Sequence, residues 1–411
     1  MPAVDNAEHV LKVKNLIALF NLTMDSWNFP TTTTNGFLLV LFDKYAELLK
    51  RRFSDDFLEI VSTDDYMPMP IQNAEEYEKV VNVSWYTPDR SVSDMVFPCV
   101  FPFSQMYPLC CIDIRNFLNQ FYFFVASDFQ HPEVVDERLK TALDDLLTTK
   151  VCSSLVSKLS SQYLGQIVQI LINISHFETA CIELETLLVA ARSSPHHSTT
   201  STVSLAATVA FRDHKKTAEK RIFELVNSKI DDLVETAEYD FNPPRRPTEP
   251  STYIQTLTQY LSNIMSSVLL SLPTEIKELM LFNAISHTAE SILALPLSPS
   301  VRRINPYGVQ QLSTDVEFLT NYVSSLNNIA LQDNLVELQQ TVQLLGTENT
   351  DEFYDVQMRN KKYGRVDPLR GPQLLEKLTH EVQAPTSATA TAGDRFAALG
   401  ARFGMHANQI R

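Results

Sequence analysis

At 411 residues and 44% hydrophobic side chains, the chain can bury a large core, and length alone favours about two to three domains. A formal charge of −15 makes it a poor partner for nucleic acid or an anionic bilayer, because both attract positive charge. Its nine glycines, about a third of average usage, argue against folds built on Gly-rich phosphate loops and suit long helices.

Taken in order, Val10 to Met24 reads as a helix with Val10, Val13, Ile17 and Phe20 to one side. Trp27 to Thr34 reads as a turn, since Pro30 biases Phe29 away from helical geometry. Gly36 to Arg52 is a second helix with Phe37, Leu41, Tyr45 and Leu48 aligned, ending in Lys50, Arg51 and Arg52, which suit the negative pole of the helix dipole. Glu75 to Val83 fits a short helix or an extended piece. Pro88 to Pro108 holds four prolines and reads as a loop, rich enough in Val and Phe to lie against a core. Pro108 and Pro132 each open a helix.

Val151 to Arg192 reads as the longest regular segment. Within it Ile170, Ile174, Phe177, Cys181, Leu184 and Leu188 alternate steps of four and three, a stripe that packs on a neighbouring helix. Its apolar runs are interrupted by Gln, Asn and Ser, so no membrane span and no direct membrane insertion are expected. Ser193 to Ser201 breaks the pattern, and helix resumes from Leu205 to Ala237. Asn242 to Pro250 is a second break. Helices follow at Tyr253–Leu270 and Thr274–Leu295.

Two further helices come next. Asn305 is a candidate N-cap before Pro306. Val309, Leu312, Val316, Leu319 and Val323 share one face; Gln310, Thr314, Glu317, Asn321 and Ser324 share the other, with Phe318 at the edge of the apolar stripe. Leu331, Leu335, Leu338, Val342 and Leu345 repeat the apolar pattern in an antiparallel neighbour. Gln373 to Leu378 is a last packed helix. The tail beyond Thr379 is low in bulky apolar residues and reads as disordered, apart from an amphipathic spacing of Phe396, Leu399 and Phe403. The expected fold is all-α, an elongated stack of helical bundles.

No catalytic constellation stands out. GxSxG, GxxxxGK[ST], HExxH and DxDxDG are absent. His196 and His197 lie in a polar stretch without further metal-ligating partners, and His176 and His287 read as core or boundary residues. Asp55-Asp56 and Asp64-Asp65 would point apart on a helix. The five cysteines show neither metal nor disulfide-framework spacing, and read as reduced thiols. Trp85-Tyr86 and Phe121 to Phe124 read as core, not as platforms for nucleic-acid bases. No enzyme activity and no cofactor are expected.

Several stretches together resemble one family: SWNFP at Ser26–Pro30, KYAELLKRRFSDDFLEIVSTDDYMPM at Lys44–Met69, FPFS at Phe101–Ser104, AEYDF at Ala237–Phe241 and YGRVDPLRGPQLLEKL at Tyr363–Leu378. In order, from about Val10 to Leu378, the chain is similar to the C-terminal half of the Sec-fifteen subunit of the exocyst. Members of that family are longer, so the resemblance implies a chain without the N-terminal half. It implies a helical rod of the multisubunit tethering-complex type, non-enzymatic and cytoplasmic, acting peripherally at secretory vesicles and at sites of exocytosis on the plasma membrane. Residues 1–195 would form a first helical subdomain with a long connecting helix, 196–378 a second one that binds a GTP-loaded Rab GTPase, and 379–411 the tail. The Rab contact would fall on Gln310, Thr314, Glu317, Phe318 and Asn321, although Thr314 stands where the family pattern carries asparagine. The other partners implied are exocyst subunits. The alternative is a purely structural scaffold joining those subunits without a Rab site.

Overall fold

A computed structural model describes residues 6–88, 95–125, 132–191 and 203–379. The expected break at 193–201 with His196 and His197, and the tail from 380 onward, lie outside the described residues. The described residues are overwhelmingly helical. Strand is limited to β1 (Pro70–Ile71) and β2 (Cys99–Val100), paired antiparallel with Ile71 opposite Cys99. The chain packs as two compact units: Met1–Val226 with Ile264–Lys277, and Asn227–Asn263 with Glu278–Arg411.

In the first unit, α1 (Ala7–Ser26) is capped by Asn6, whose side chain accepts from the Glu8 N–H. Its buried side is Val10, Lys14, Ala18 and Asn21, not the expected Val13 and Phe20. The neighbouring helices explain this choice: the Lys14 ammonium sits 6.0 Å from the Phe124 ring, and Asn21 Nδ2 donates to Asn35 Oδ1 at 2.8 Å. Leu16, Leu19, Phe20 and Leu22 stay exposed.

Helix α2 (Thr32–Thr63) starts inside the threonine run and continues beyond Arg52. Lys50, expected at a helix end, instead pairs in mid-helix with Asp145 at 2.7 Å. Tyr45 is buried as expected, but on either side of it the buried stripe lies one residue further on, with Leu38, Phe42 and Leu49 in place of Phe37, Leu41 and Leu48, and it continues through Phe53, Phe57 and Val61. The aromatic side chains of α4 (Met106–Val125), two turns and more of which face α2, select that register. Phe42 meets Phe121 edge-on at 5.3 Å and Phe53 meets Phe117 at 5.4 Å. Between them come α3 (Ala74–Val83) and the proline-rich loop, which packs against the core as expected through Phe101 and Phe103.

The segment from 151 is not one helix. After α5 (Pro132–Asp145), a π-helical turn at Leu146–Cys152 leads into the short α6 (Ser153–Ser157) and a 3₁₀ turn at Lys158–Ser160. Helix α7 (Leu164–Ala190) then starts afresh. All six residues of its expected stripe are buried. By length and composition α7 could cross a membrane, but 67% of its most apolar stretch is buried within the protein. Its polar residues are satisfied there: Gln169 Nε2 donates to the Pro102 carbonyl at 2.8 Å, and Asn173 Nδ2 to Ser104 Oγ at 2.8 Å. It is a core helix. Helix α8 (Ala206–Glu235) is capped from outside by Asp144, whose carboxylate accepts from Ala206 N and Ala207 N at 2.9 and 2.8 Å.

In the second unit, α9 (Thr252–Asn263), α10 (Thr274–Leu297, from Glu278 on), α11 (Pro306–Ser325), α12 (Ile329–Asp333) and α13 (Val336–Leu345) build the core, followed by α14 (Val356–Lys362) and α15 (Arg370–Leu375). The second helix of the expected pair is thus split into α12 and α13. Its five apolar positions are nevertheless all buried.

Candidate functional site

The local sequence dictates how α11 is placed. Asn305 adopts extended geometry, and its Oδ1 accepts from the Gly308 N–H at 2.7 Å. Its backbone N–H donates to the Phe241 carbonyl at 3.0 Å and its Nδ2 to the Pro243 carbonyl at 3.0 Å. Ile304 N donates to Lys377 O at 2.8 Å, and Thr379 N to Ile304 O at 2.9 Å, so the segment after α15 is laced to the start of α11. The inward stripe Val309, Leu312, Val316, Leu319 and Val323 is buried throughout.

Asp315 is a buried carboxylate that the sequence pattern does not single out. It accepts from Ser251 N at 2.6 Å, Ser251 Oγ at 2.7 Å and Gln311 Nε2 at 3.1 Å, which locks the start of α9 onto α11. Burial pushes its carboxyl above the usual range, and the hydrogen bonds from Ser251 and Gln311 act against that shift. Every strong contact it makes is internal, which gives it a structural role.

The five candidate residues fall on one contiguous stripe of α11, at spacings of four, three, one and three. Glu317 and Asn321 are exposed, while Phe318 is half-buried. Gln310 and Thr314 are less free than the pattern suggests. Gln310 Oε1 accepts from Arg246 Nε at 3.0 Å, because the proline-rich loop after α8 folds back over the first turns of α11. Thr314 Oγ1 donates to the Gln310 carbonyl at 3.0 Å and is half-buried.

Sequence reasoning did not find the groove beside this stripe. It has a volume of about 1120 Å³ and runs between α11, α13, the turn after α13 and the end of α15. Val316, Val342, Leu375 and Leu378 contribute its apolar lining. Gln339 Nε2 donates to Thr320 Oγ1 at 3.0 Å across its floor. Among the described residues, the charged groups in the lining are Glu317, Glu348 and Glu376, with no lysine or arginine. The signal for the groove was weak, since its walls come from three stretches far apart in sequence.

His287 Nε2 lies 2.7 Å from Asp231 Oδ1, a pairing within the second unit. His176 is enclosed by the rings of Tyr86, Phe103 and Tyr107 at 5.6, 5.1 and 5.4 Å, and burial pulls its pKa down to about 4. Asp64 accepts from Ser104 Oγ at 2.6 Å and from Met106 N at 3.2 Å, which holds the chain entering α4. Among the described residues, no three His, Cys, Asp or Glu side chains gather as a metal site.

Residues 34–377 match the family described as "Exocyst complex subunit Sec15 C-terminal". "Exocyst complex component 6" of Mus musculus is 29% identical over 377 residues, covering 90% of this chain and 47% of the relative. "Exocyst complex component sec15" of Schizosaccharomyces pombe is 27% identical over 382 residues, covering 90% and 48%. The chain therefore spans about half the length of the curated relatives it matches. A solved structure described as "Crystal Structure of Sec15 C-terminal domain" superposes with a TM-score of 0.52 at 24% identity, over 75% of this chain and 98% of that one, a likeness of fold. The matched span takes in α2 through α15, every helix that builds the two cores except α1, and on that extent the chain belongs to the exocyst Sec15 C-terminal family.

Proposed function

We propose that this chain works, as part of the exocyst, in tethering secretory vesicles to the plasma membrane, and that α11 presents the binding face for a GTP-loaded Rab GTPase. The reading is non-enzymatic, with cytoplasmic action at vesicles and exocytic sites. The family match supports the exocyst role. The observation that carries the Rab reading is the division of α11 into two faces: one stripe is committed to the core, and the other presents the exposed Glu317 and Asn321 beside the half-buried Gln310, Thr314 and Phe318. Selectivity for GTP follows from the partner, whose switch loops are ordered by the γ-phosphate and released on hydrolysis. A binding screen of GTP- against GDP-loaded Rab proteins tests the reading. Nucleotide-dependent capture supports it, and equal or absent capture of every Rab removes it.

A scaffold without a Rab site is the second reading. The exposed apolar stripe of α1, with Leu16, Leu19 and Leu22 at 68%, 63% and 58% exposure, favours it as a seat for another exocyst subunit. Loss of subunit assembly on Leu16→Ser/Leu19→Ser, together with a negative Rab screen, would select that reading.

A further inference from the structure

The groove between α11 and α13 is an apolar trough rimmed by negative charge. Its wall includes Leu375, Leu378 and the exposed ring of Tyr354. The carboxylates of Glu317, Glu348 and Glu376 are all exposed, and none is held in an ion pair among the described residues. An occupant that fits would offer a short row of large apolar side chains flanked by cations.

The chain carries such a segment. Phe396, Leu399 and Phe403 are spaced for one face of a helix, and Arg395 and Arg402, seven residues apart, fall together on its flank. In residues 394–411 three arginines stand against the single Asp394, in a protein whose formal charge is −15. The position of the chain favours docking within the same molecule. Thr379 is itself part of the groove wall, fixed by its bond to Ile304. Residues 380–395 can span at most ~50–55 Å when extended, against a length of ~15 Å for the ten residues of α13. A tether of that length holds the segment at an effective concentration in the millimolar range, so even a weak contact would be populated.

We infer that residues 394–405 of this same chain dock in the groove, with Phe396, Leu399 and Phe403 on its apolar lining and Arg395 and Arg402 against its glutamates. Glu317 and Gln310 belong to both the groove and the proposed Rab face, so an occupied groove and a bound Rab exclude each other. The docking itself does not depend on the Rab reading.

The test places a photo-crosslinking phenylalanine analogue at position 396 of the full chain and maps the adducts by mass spectrometry. The expected adducts fall within residues 309–320, 339–354 or 375–379, with a yield independent of protein concentration. Adducts elsewhere overturn the inference, as do groove adducts whose yield rises with concentration, which would mean a second copy as donor. Charge is tested in the same chain. Glu317→Lys with Glu348→Lys should lower the groove adduct about fivefold, as expected for losing two exposed ion pairs. Adding Arg395→Glu and Arg402→Glu should restore it. An unchanged yield in the first variant, or no recovery in the second, contradicts the proposed register. The altered glutamates are exposed, so folding should survive, and a melting curve on each variant verifies it.

Discussion

Gly308→Ala is the sharpest test of how α11 is positioned. Within a helix, replacing Gly by Ala ordinarily stabilises by ~0.5–1 kcal/mol. Here a Cβ would overlap the carbonyl oxygen of Phe241 and lie 2.7 Å from the carbonyl carbon and 3.0 Å from its Cα. Those are backbone atoms and cannot swing away. Phe241 O is also the acceptor for Asn305 N at 3.0 Å, so pushing it back strains the N-cap as well. Overpacking typically costs ~1–3 kcal/mol, and weakening one buried hydrogen bond costs a further ~0.5–1.5 kcal/mol. The steric and hydrogen-bond terms exceed the propensity gain, and the variant should lose ~1–3 kcal/mol net. Gly36→Ala, in α2 with nothing within 4 Å of the added Cβ, should gain ~0.5–1 kcal/mol instead. Urea unfolding followed by far-UV circular dichroism measures both, and hydrogen exchange over 306–325 localises the loss. A Gly308→Ala variant as stable as the parent, with unchanged exchange in α11, refutes the close approach to Phe241.

Other expectations follow from burial and charge. His176 has a folded pKa of about 4, below its ordinary 6.5, so the unfolded chain binds the extra proton between those values; the associated stability, about 3 kcal/mol, is fully present above pH 6.5 and is lost as pH falls toward 4. His176→Phe should flatten that part of the stability–pH profile, and an unchanged slope would count against the buried neutral imidazole. Leu319→Ala, at a fully buried position, should cost ~2–5 kcal/mol, while Asn321→Ala on the same helix should stay within about 0.5 kcal/mol of the parent. For the proposed division into subdomains, limited proteolysis should cut within 193–201 and 242–250, the two breaks in apolar periodicity, before it cuts inside the helices, and a first cut within α7 would count against the division.

The all-α class and the family were legible in the sequence, and so were the stripes of α7, α11 and α13, because 3.6-residue periodicity survives wherever a helix has one buried side. The failures have a common cause. On α1 and α2, apolar residues occur on more than one face, and only the partner decides which is buried: Phe121 and Phe117 on α4 select Phe42 and Phe53. Thr32 to Thr34 read as the end of a turn because they follow Pro30, whereas α2 already starts at Thr32, where packing of α1 against α2 overrides the low helix propensity of the threonines. The break before Leu164 carries no proline and lies in a polar run, SSQY, that also occurs on helix surfaces. At the candidate site the outward stripe could be read directly. Arg246 over Gln310, Ser251 on Asp315 and the groove beside α13 could not, since each joins residues well separated in the chain.

On the proposed reading, the outward stripe of α11 is a nucleotide-dependent recognition face. The most direct measurement is the affinity of the full chain and of Thr314→Arg for Rab proteins loaded with GTP or GDP analogues. Among the described residues Thr314 bonds only to its own helix backbone, so the substitution adds bulk and charge to the face and should leave the thermal midpoint nearly unchanged. At least one Rab should bind in its GTP form, weakly or not at all in its GDP form, and Thr314→Arg should weaken that binding at least tenfold, about 1.4 kcal/mol. A Rab that binds the parent and the folded Thr314→Arg variant equally well would contradict that reading.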